Sequence, residues 1–143
     1  MHRGSHEVMF KGKGVVKGYF RGEALVTSMP ISFLGGVDTS TGTVVERGHE
    51  LEGRTLAGKA LILPHGKGST VGSYVMYSLA KQGLAPKAIV TVKADLMILT
   101  GCVISRIPLI DRVSEEVLSV FKSGDLVEVD ANSGSLRKIS RQE

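Results

Sequence analysis

A single cysteine, Cys102, limits what this 143-residue chain can be. One thiol allows no internal disulfide, and a reducing cytoplasm is the compartment this implies. Tryptophan is absent, and three Tyr with four Phe are too few to interleave basic residues as a base-stacking platform. The 18 Lys and Arg outnumber the 14 Asp and Glu, giving a net charge of +4. They are dispersed rather than gathered into a stripe, so they read as a mildly basic solvated surface, with nucleic acid not expected as a partner. No apolar run approaches the roughly 20 residues that cross a bilayer, so no membrane association is expected. Residues 1–7 lack the apolar stretch of a signal peptide. With Gly4-Ser5-His6 resembling a cloning remnant, residues 1–10 read as a start outside the fold. Neither charge nor hydrophobicity is extreme, at 22% and 42% of residues, which is ordinary globular composition. Residues 11–143 are therefore expected to form one domain with its own core.

Glycine is what the sequence has in abundance: 18 residues, set in short segments between apolar runs. This pattern points to tight turns and close backbone approaches. The N-terminal half reads as β structure: residues 14–17, 23–28, then 31–34 ending at Gly35-Gly36, and 43–46 after a turn over 38–42. Residues 47–58 show no periodicity and are expected to cross the surface. The second half turns to β/α units. Residues 59–63 read as a buried strand stopped by Pro64. Val71, Tyr74, Val75, Ser78 and Leu79 then share one helical face, with Lys81 in the last turn and Gly83 as the stop. Residues 88–92 form the next strand, Asp95 caps a short helix through Val103, and residues 107–110 read as another strand. Ser114 caps a helix over residues 115–122. Residues 126–129 and 136–139, joined by a turn, read as a closing hairpin. A β-rich N-terminal layer followed by β/α units is the expected α/β architecture.

The segment of most chemical interest lies between the first buried strand and the first helix, and runs PHGKGSTVG over residues 64–72. Gly66 and Gly68 let backbone N–H groups turn inward, and the following helix adds unsatisfied donors and the positive end of its dipole. Such a turn suits an anion: a carboxylate, a phosphate or a developing alkoxide. It is not a Walker loop, because Lys67 precedes the last glycine and the long spacer is missing. Nor does it fit G-x-S-x-G of a hydrolase elbow. From the residues alone, Ser69 or Thr70 serves equally well as a helix cap, with the glycines as turn formers.

PHGKGSTVGS, together with SFLGGVDTSTG at residues 32–42 and GLAPKAIV at 83–90, resembles the small subunit of the aconitase X family. The resemblance runs from about residue 14 to 110 with the segments in the same order. It implies a swivelling β/β/α domain, in agreement with the layer pattern. It also implies half of a heterodimeric hydro-lyase, active only with a larger cysteine-bearing subunit that holds a 4Fe–4S cluster. Such a cluster takes about three or four thiolates, and this chain has one cysteine. The family's proton acceptor, the first serine after the glycine pair, falls on Ser69. Thr70 stands where many relatives carry a second serine and keeps the hydroxyl, whereas Leu34 stands where an aromatic is common. Gly66, Lys67, Gly68 and Thr70 from one segment, with Gly35, Gly36 and Asp38 from the other, are the substrate-binding candidates, and none is a metal ligand. Asp38 reads equally well as a plain turn residue, and Lys67 as a solvated lysine.

Family members resemble either archaeal enzymes of isoprenoid synthesis that act on 5-phosphomevalonate or hydroxyproline dehydratases. Lys67, the backbone donors, the positive net charge and the lack of a fused large portion favour the first. The expected reaction is dehydration of (R)-5-phosphomevalonate to trans-anhydromevalonate 5-phosphate. His65 beside the loop leaves open a phosphocarrier or anion-binding swivel domain, and a non-catalytic interaction module is the third reading. Cys102, in LMILTGCVI, reads as a small buried hydrophobe, and Met29 and Met97 read as core.

Overall fold

Short apolar runs bounded by Gly or Pro make the centre of the molecule, of which the computed structural model describes residues 8–140. In chain order the elements are β1 (Met9–Lys11), β2 (Lys13–Val16), β3 (Tyr19–Val26), α1 (Phe33–Gly36), β4 (Ala60–Leu63), α2 (Gly72–Lys81), β5 (Ala88–Thr91), α3 (Leu96–Ser105), β6 (Leu109–Asp111), α4 (Val117–Val120), β7 (Leu126–Asp130) and β8 (Ser135–Lys138). β4, β5 and β6 lie parallel and side by side. Every residue in them is buried, as strands covered on both faces require. The period of two sorts their side chains. Leu61, Leu63, Ile89 and Leu109 enter one apolar cluster, while Ala60, Ile62, Ala88, Val90 and Ile110 enter the other.

β3 joins two layers. Residues 24–26 pair in parallel with β4, whereas residues 19–23 pair antiparallel with β7. β1, β8 and β7 complete the antiparallel layer, and β2 closes the far edge against β6. The strand order is β1-β8-β7-β3-β4-β5-β6-β2. α2 and α3 cover one face, burying Val75, Met76 and Leu79 from the first, and Met97, Ile98 and Cys102 from the second. The mixed α/β architecture expected from the layer pattern is the one observed.

Several local expectations give way to tertiary packing. The sheet begins at Met9, paired with Arg137 of β8, so residues 9 and 10 belong to the fold although they read as part of a start outside it. Residues 1–7 of that start lie outside the described residues. The strands expected at 31–34 and 43–46 reduce to isolated bridges, Ile31 with Gly66, Thr43 with Thr55 and Val44 with Val37. Phe33–Gly36 is instead a single turn with non-helical dihedrals at Leu34 and Gly35. Residues 47–58 are not a mere surface crossing: Leu51 and Leu56 enter the core. His49 is 4% exposed, its Nε2 donating to Pro30 O at 3.1 Å while its Nδ1 accepts from Leu51 N–H. The buried stripe of α2 is rotated from the expected one. Gly72, Ser73 and Met76 face inward, and Val71 and Tyr74 are 50% and 64% exposed. Gly101 on α3 has no side chain to hold Met76 away, so α2 rolls toward α3. The helix after Ser114 is one turn long. Met97 is core, whereas Met29 is half-buried.

Candidate functional site: the glycine-rich turn after strand β4

In parallel sheets the loops leaving the carboxyl ends of strands carry ligands, and the turn after β4 is the most elaborate here. Pro64 O accepts from the N–H groups of Val92 and Lys93, fixing the turn's start beside the loop after β5. His65 is exposed, with its Nδ1 2.6 Å from Gly66 O. Gly66 is buried and bridged to Ile31, and its N–H donates to Asp95 Oδ1 at 2.8 Å. A Cβ there would meet Met97 Cε at 2.5 Å and that carboxylate oxygen at 2.9 Å, so only glycine allows the approach. Lys67 N–H donates to Ile31 O at 3.0 Å. Gly68 then turns the chain back with φ of +86°, where a side chain would be strained and would crowd Ser32 Oγ.

Ser69, Thr70 and Val71 form a tight turn feeding α2. Ser69 O accepts from Gly72 N–H at 2.9 Å and Thr70 O from Ser73 N–H at 3.0 Å. Ser69 Oγ, on an exposed residue, accepts from Val71 N–H at 3.0 Å. Among the described residues, the N–H groups of Gly68, Ser69 and Thr70 have no acceptor within the chain. Three successive free donors at the mouth of a helix are a ready anion cradle.

The second glycine-rich segment packs beside the first. Ser32 lies against Gly68, and Phe33 and Leu34 lie against Gly72. Gly36 O accepts from Val45 N–H, which sets Glu46 under the loop. There Glu46 Oε2 meets Lys67 Nζ at 2.7 Å, while its Oε1 is buried without a partner. Lys67 is thus an ion-paired group rather than a freely solvated one. Gly35, at φ of +85°, turns outward into open space. The Asp38 carboxylate accepts both the N–H and the hydroxyl of Ser40 at 2.7 Å. Those bonds hold its acidity above that of an ordinary aspartate and commit it to its own turn. Glu46 and Asp95 are the residues sequence reasoning passed over. Asp95 did carry a signal, a capping residue before an apolar helix, but its side chain is turned to Gly66 instead of to its own helix.

An iron–sulfur cluster does not fit this chain. Cys102 is fully buried and its thiol is pushed far up by burial. Among the described residues no three His, Cys, Asp or Glu side chains gather to hold a metal ion. Nor is any helix among them long and apolar enough to cross a membrane.

The architecture defines the class, a swivelling β/β/α domain with a glycine-rich turn at the carboxyl edge of its parallel strands. The chain belongs to the aconitase X swivel domain family, matching it over residues 9–138. The phosphomevalonate dehydratase small subunit of Methanosarcina acetivorans is 46% identical over 132 residues, 92% of each chain. The protein of that name from Methanocella arvoryzae is 48% identical over 127 residues, 89% of this chain and 96% of that one. In the holo-form crystal structure of Thermococcus kodakaraensis aconitase X, a chain 46% identical superposes with a TM-score of 0.88, covering 93% of this chain and 99% of that one.

Proposed function

We propose that this chain is the small subunit of a phosphomevalonate dehydratase. In this reading it works in the cytoplasm with a larger, cysteine-bearing subunit, and the pair removes water from (R)-5-phosphomevalonate to give trans-anhydromevalonate 5-phosphate. What carries the reading is similarity over nearly the full length of both chains to proteins bearing that name. The glycine-rich turn supports it independently, since its free donors and Lys67 suit a substrate with both a carboxylate and a phosphate.

Ser69 accepts the proton from the carbon next to the carboxylate, as the hydroxyl leaves from the neighbouring carbon. The Val71 N–H at 3.0 Å favours the anionic form of Ser69 Oγ. A helix terminus contributes at most about 2 kcal/mol, or about 1.5 pKa units, too little to ionise a serine at neutral pH. Lys67 adds less than a full charge because Glu46 sits against it. The remaining stabilisation has to come from cationic charge brought by the larger subunit, which a closed, dry site between the subunits makes stronger. Residues 66–70, with Gly35 and Gly36 in the segment packed beside them, form this chain's side of that site, and Asp38 shapes it through the turn that its carboxylate holds. The cluster belongs to the larger subunit, since the one thiol here is buried.

Anaerobic reconstitution of the two chains tests the reading, with 5-phosphomevalonate and hydroxyproline offered in parallel. Conversion of the phosphomevalonate alone is expected. Ready dehydration of hydroxyproline with phosphomevalonate untouched would overturn the substrate, and activity of this chain by itself would overturn the need for a partner.

A further inference from the structure

We propose that Asp95 is the positioning residue that holds the turn at residues 66–70, and with it Ser69, in register with the rest of the site. The inference rests on the reading of Ser69 as proton acceptor. Asp95 stands at the start of α3 with extended dihedrals, where a helix cap belongs, yet its side chain makes no capping bond. Its Oδ1 instead accepts from Gly66 N–H at 2.8 Å, 29 residues back in the chain. A capping residue turned away from its own helix breaks a local rule, and such breaks gather where function requires them. Gly66 is shaped for the contact, because a Cβ there would lie 2.9 Å from that oxygen.

Asp95 is itself held. Asp111, at the end of β6 and 7% exposed, accepts at Oδ1 from Ala94 N–H at 2.8 Å and from the Thr91 hydroxyl at 3.0 Å. Two carboxylates therefore tie the loops after β4, β5 and β6 into one edge, which ends at Gly66. On the other side the turn is held by Lys67 N–H on Ile31 O. Among the described residues, no hydrogen bond of their own anchors Gly68, Ser69 or Thr70 to a segment distant in the chain. The place of Ser69 Oγ is thus set from two ends, by the start of α2 through the Gly72, Ser73 and Val71 N–H groups and by how the peptides of Gly66 and Lys67 are held. Proton transfer depends steeply on that placement, since a displacement of about 1 Å costs on the order of 100-fold. Anion binding depends on it less, because Lys67 keeps its separate bonds to Ile31 and Glu46.

Two variants separate bracing from capping. Asp95→Ser puts a residue well suited to capping at the start of α3, but its hydroxyl is too short to reach Gly66. Asp95→Asn is equally suited to the cap position and keeps an acceptor of the right length. In the reconstituted two-chain enzyme, Asp95→Ser is expected to lower kcat by about 10- to 100-fold with KM within about threefold, the pattern of a misplaced catalytic group. Asp95→Asn is expected to stay within about threefold of the parent on both constants. In the chain by itself, Asp95→Ser should speed amide exchange at Gly66 and Lys67, the two residues of the turn whose N–H groups are bonded, while Asp95→Asn should not. Unchanged exchange in Asp95→Ser overturns the inference whatever the enzyme does. So does a Ser variant as active as the parent while Ser69→Ala is inactive, or an Asn variant as damaged as the Ser variant. Near-normal turnover of Ser69→Ala would instead remove the proton-acceptor reading, leaving the exchange result to decide what Asp95 holds.

Discussion

Ser69 sits in an exposed turn with its hydroxyl oxygen on the N–H of Val71. Two consequences of removing that oxygen differ greatly in size. Ser69→Ala loses a cap-like bond, which costs about 1 kcal/mol of stability. It also loses the proton acceptor, and turnover of the two-chain enzyme is expected to fall by about 100-fold or more. Thermal melts of the chain and steady-state rates of the complex measure the two separately. A rate near that of the parent would show that another group takes the proton. Lys67 was legible as a candidate because it lies between two glycines. Its partner Glu46 was not, because nothing local links residues 46 and 67 until the arch over 36–45 folds beneath the loop.

Among the elements, those with a strong period were the legible ones. β4, α2, β5, α3 and the β7–β8 hairpin appear within a residue or two of where apolar spacing and Gly or Pro stops put them. The stretch from 31 to 58 was misread because it lacks ladder pairing altogether. Its backbone bonds are made in turns and at isolated bridges, and its apolar members Phe33, Val37, Val44, Leu51 and Leu56 are buried one at a time. The two glycine-rich segments nevertheless lie together, as contacts of Ser32 with Gly68 and of Phe33 with Gly72 attest. With the larger subunit docked over this mouth, amide exchange is expected to slow at residues 35–38 and 66–70 when the chains are mixed. Protection confined to the turn at residues 130–134, at the tip of the β7–β8 hairpin, would place the interface elsewhere.

For the whole molecule, three carboxylates tie distant or turning segments through hydroxyl donors. Glu50 takes the Thr27 hydroxyl, Glu128 the Tyr19 hydroxyl and Asp38 the Ser40 hydroxyl, and each is held below the usual carboxylate range. A carboxylate more acidic folded than unfolded stabilises fully above its unfolded value of about 4 and loses that contribution as pH falls through the folded one. The melting temperature is therefore expected to be flat near neutrality and to decline as pH drops below about 4. Glu50→Gln should flatten that decline. Calorimetry between neutral and acidic pH checks both, and a melting temperature indifferent to acid would refute the assignment.

By itself the sequence determined the class of the molecule: short continuous apolar runs bounded by Gly or Pro, a helix of period 3.6, and a glycine pair opening that helix are local signals with local causes. It also ruled out a self-made iron–sulfur cluster, because one thiol is a matter of counting. Only the tertiary structure decided which groups surround the turn. Ile31, Glu46 and Asp95 reach residues 66 and 67 from segments 21 to 36 positions away. The physical reason is that a single side-chain bond to a backbone N–H has no period and no composition. It exists only once the sheet order has set the loops after β4 and β5 next to one another.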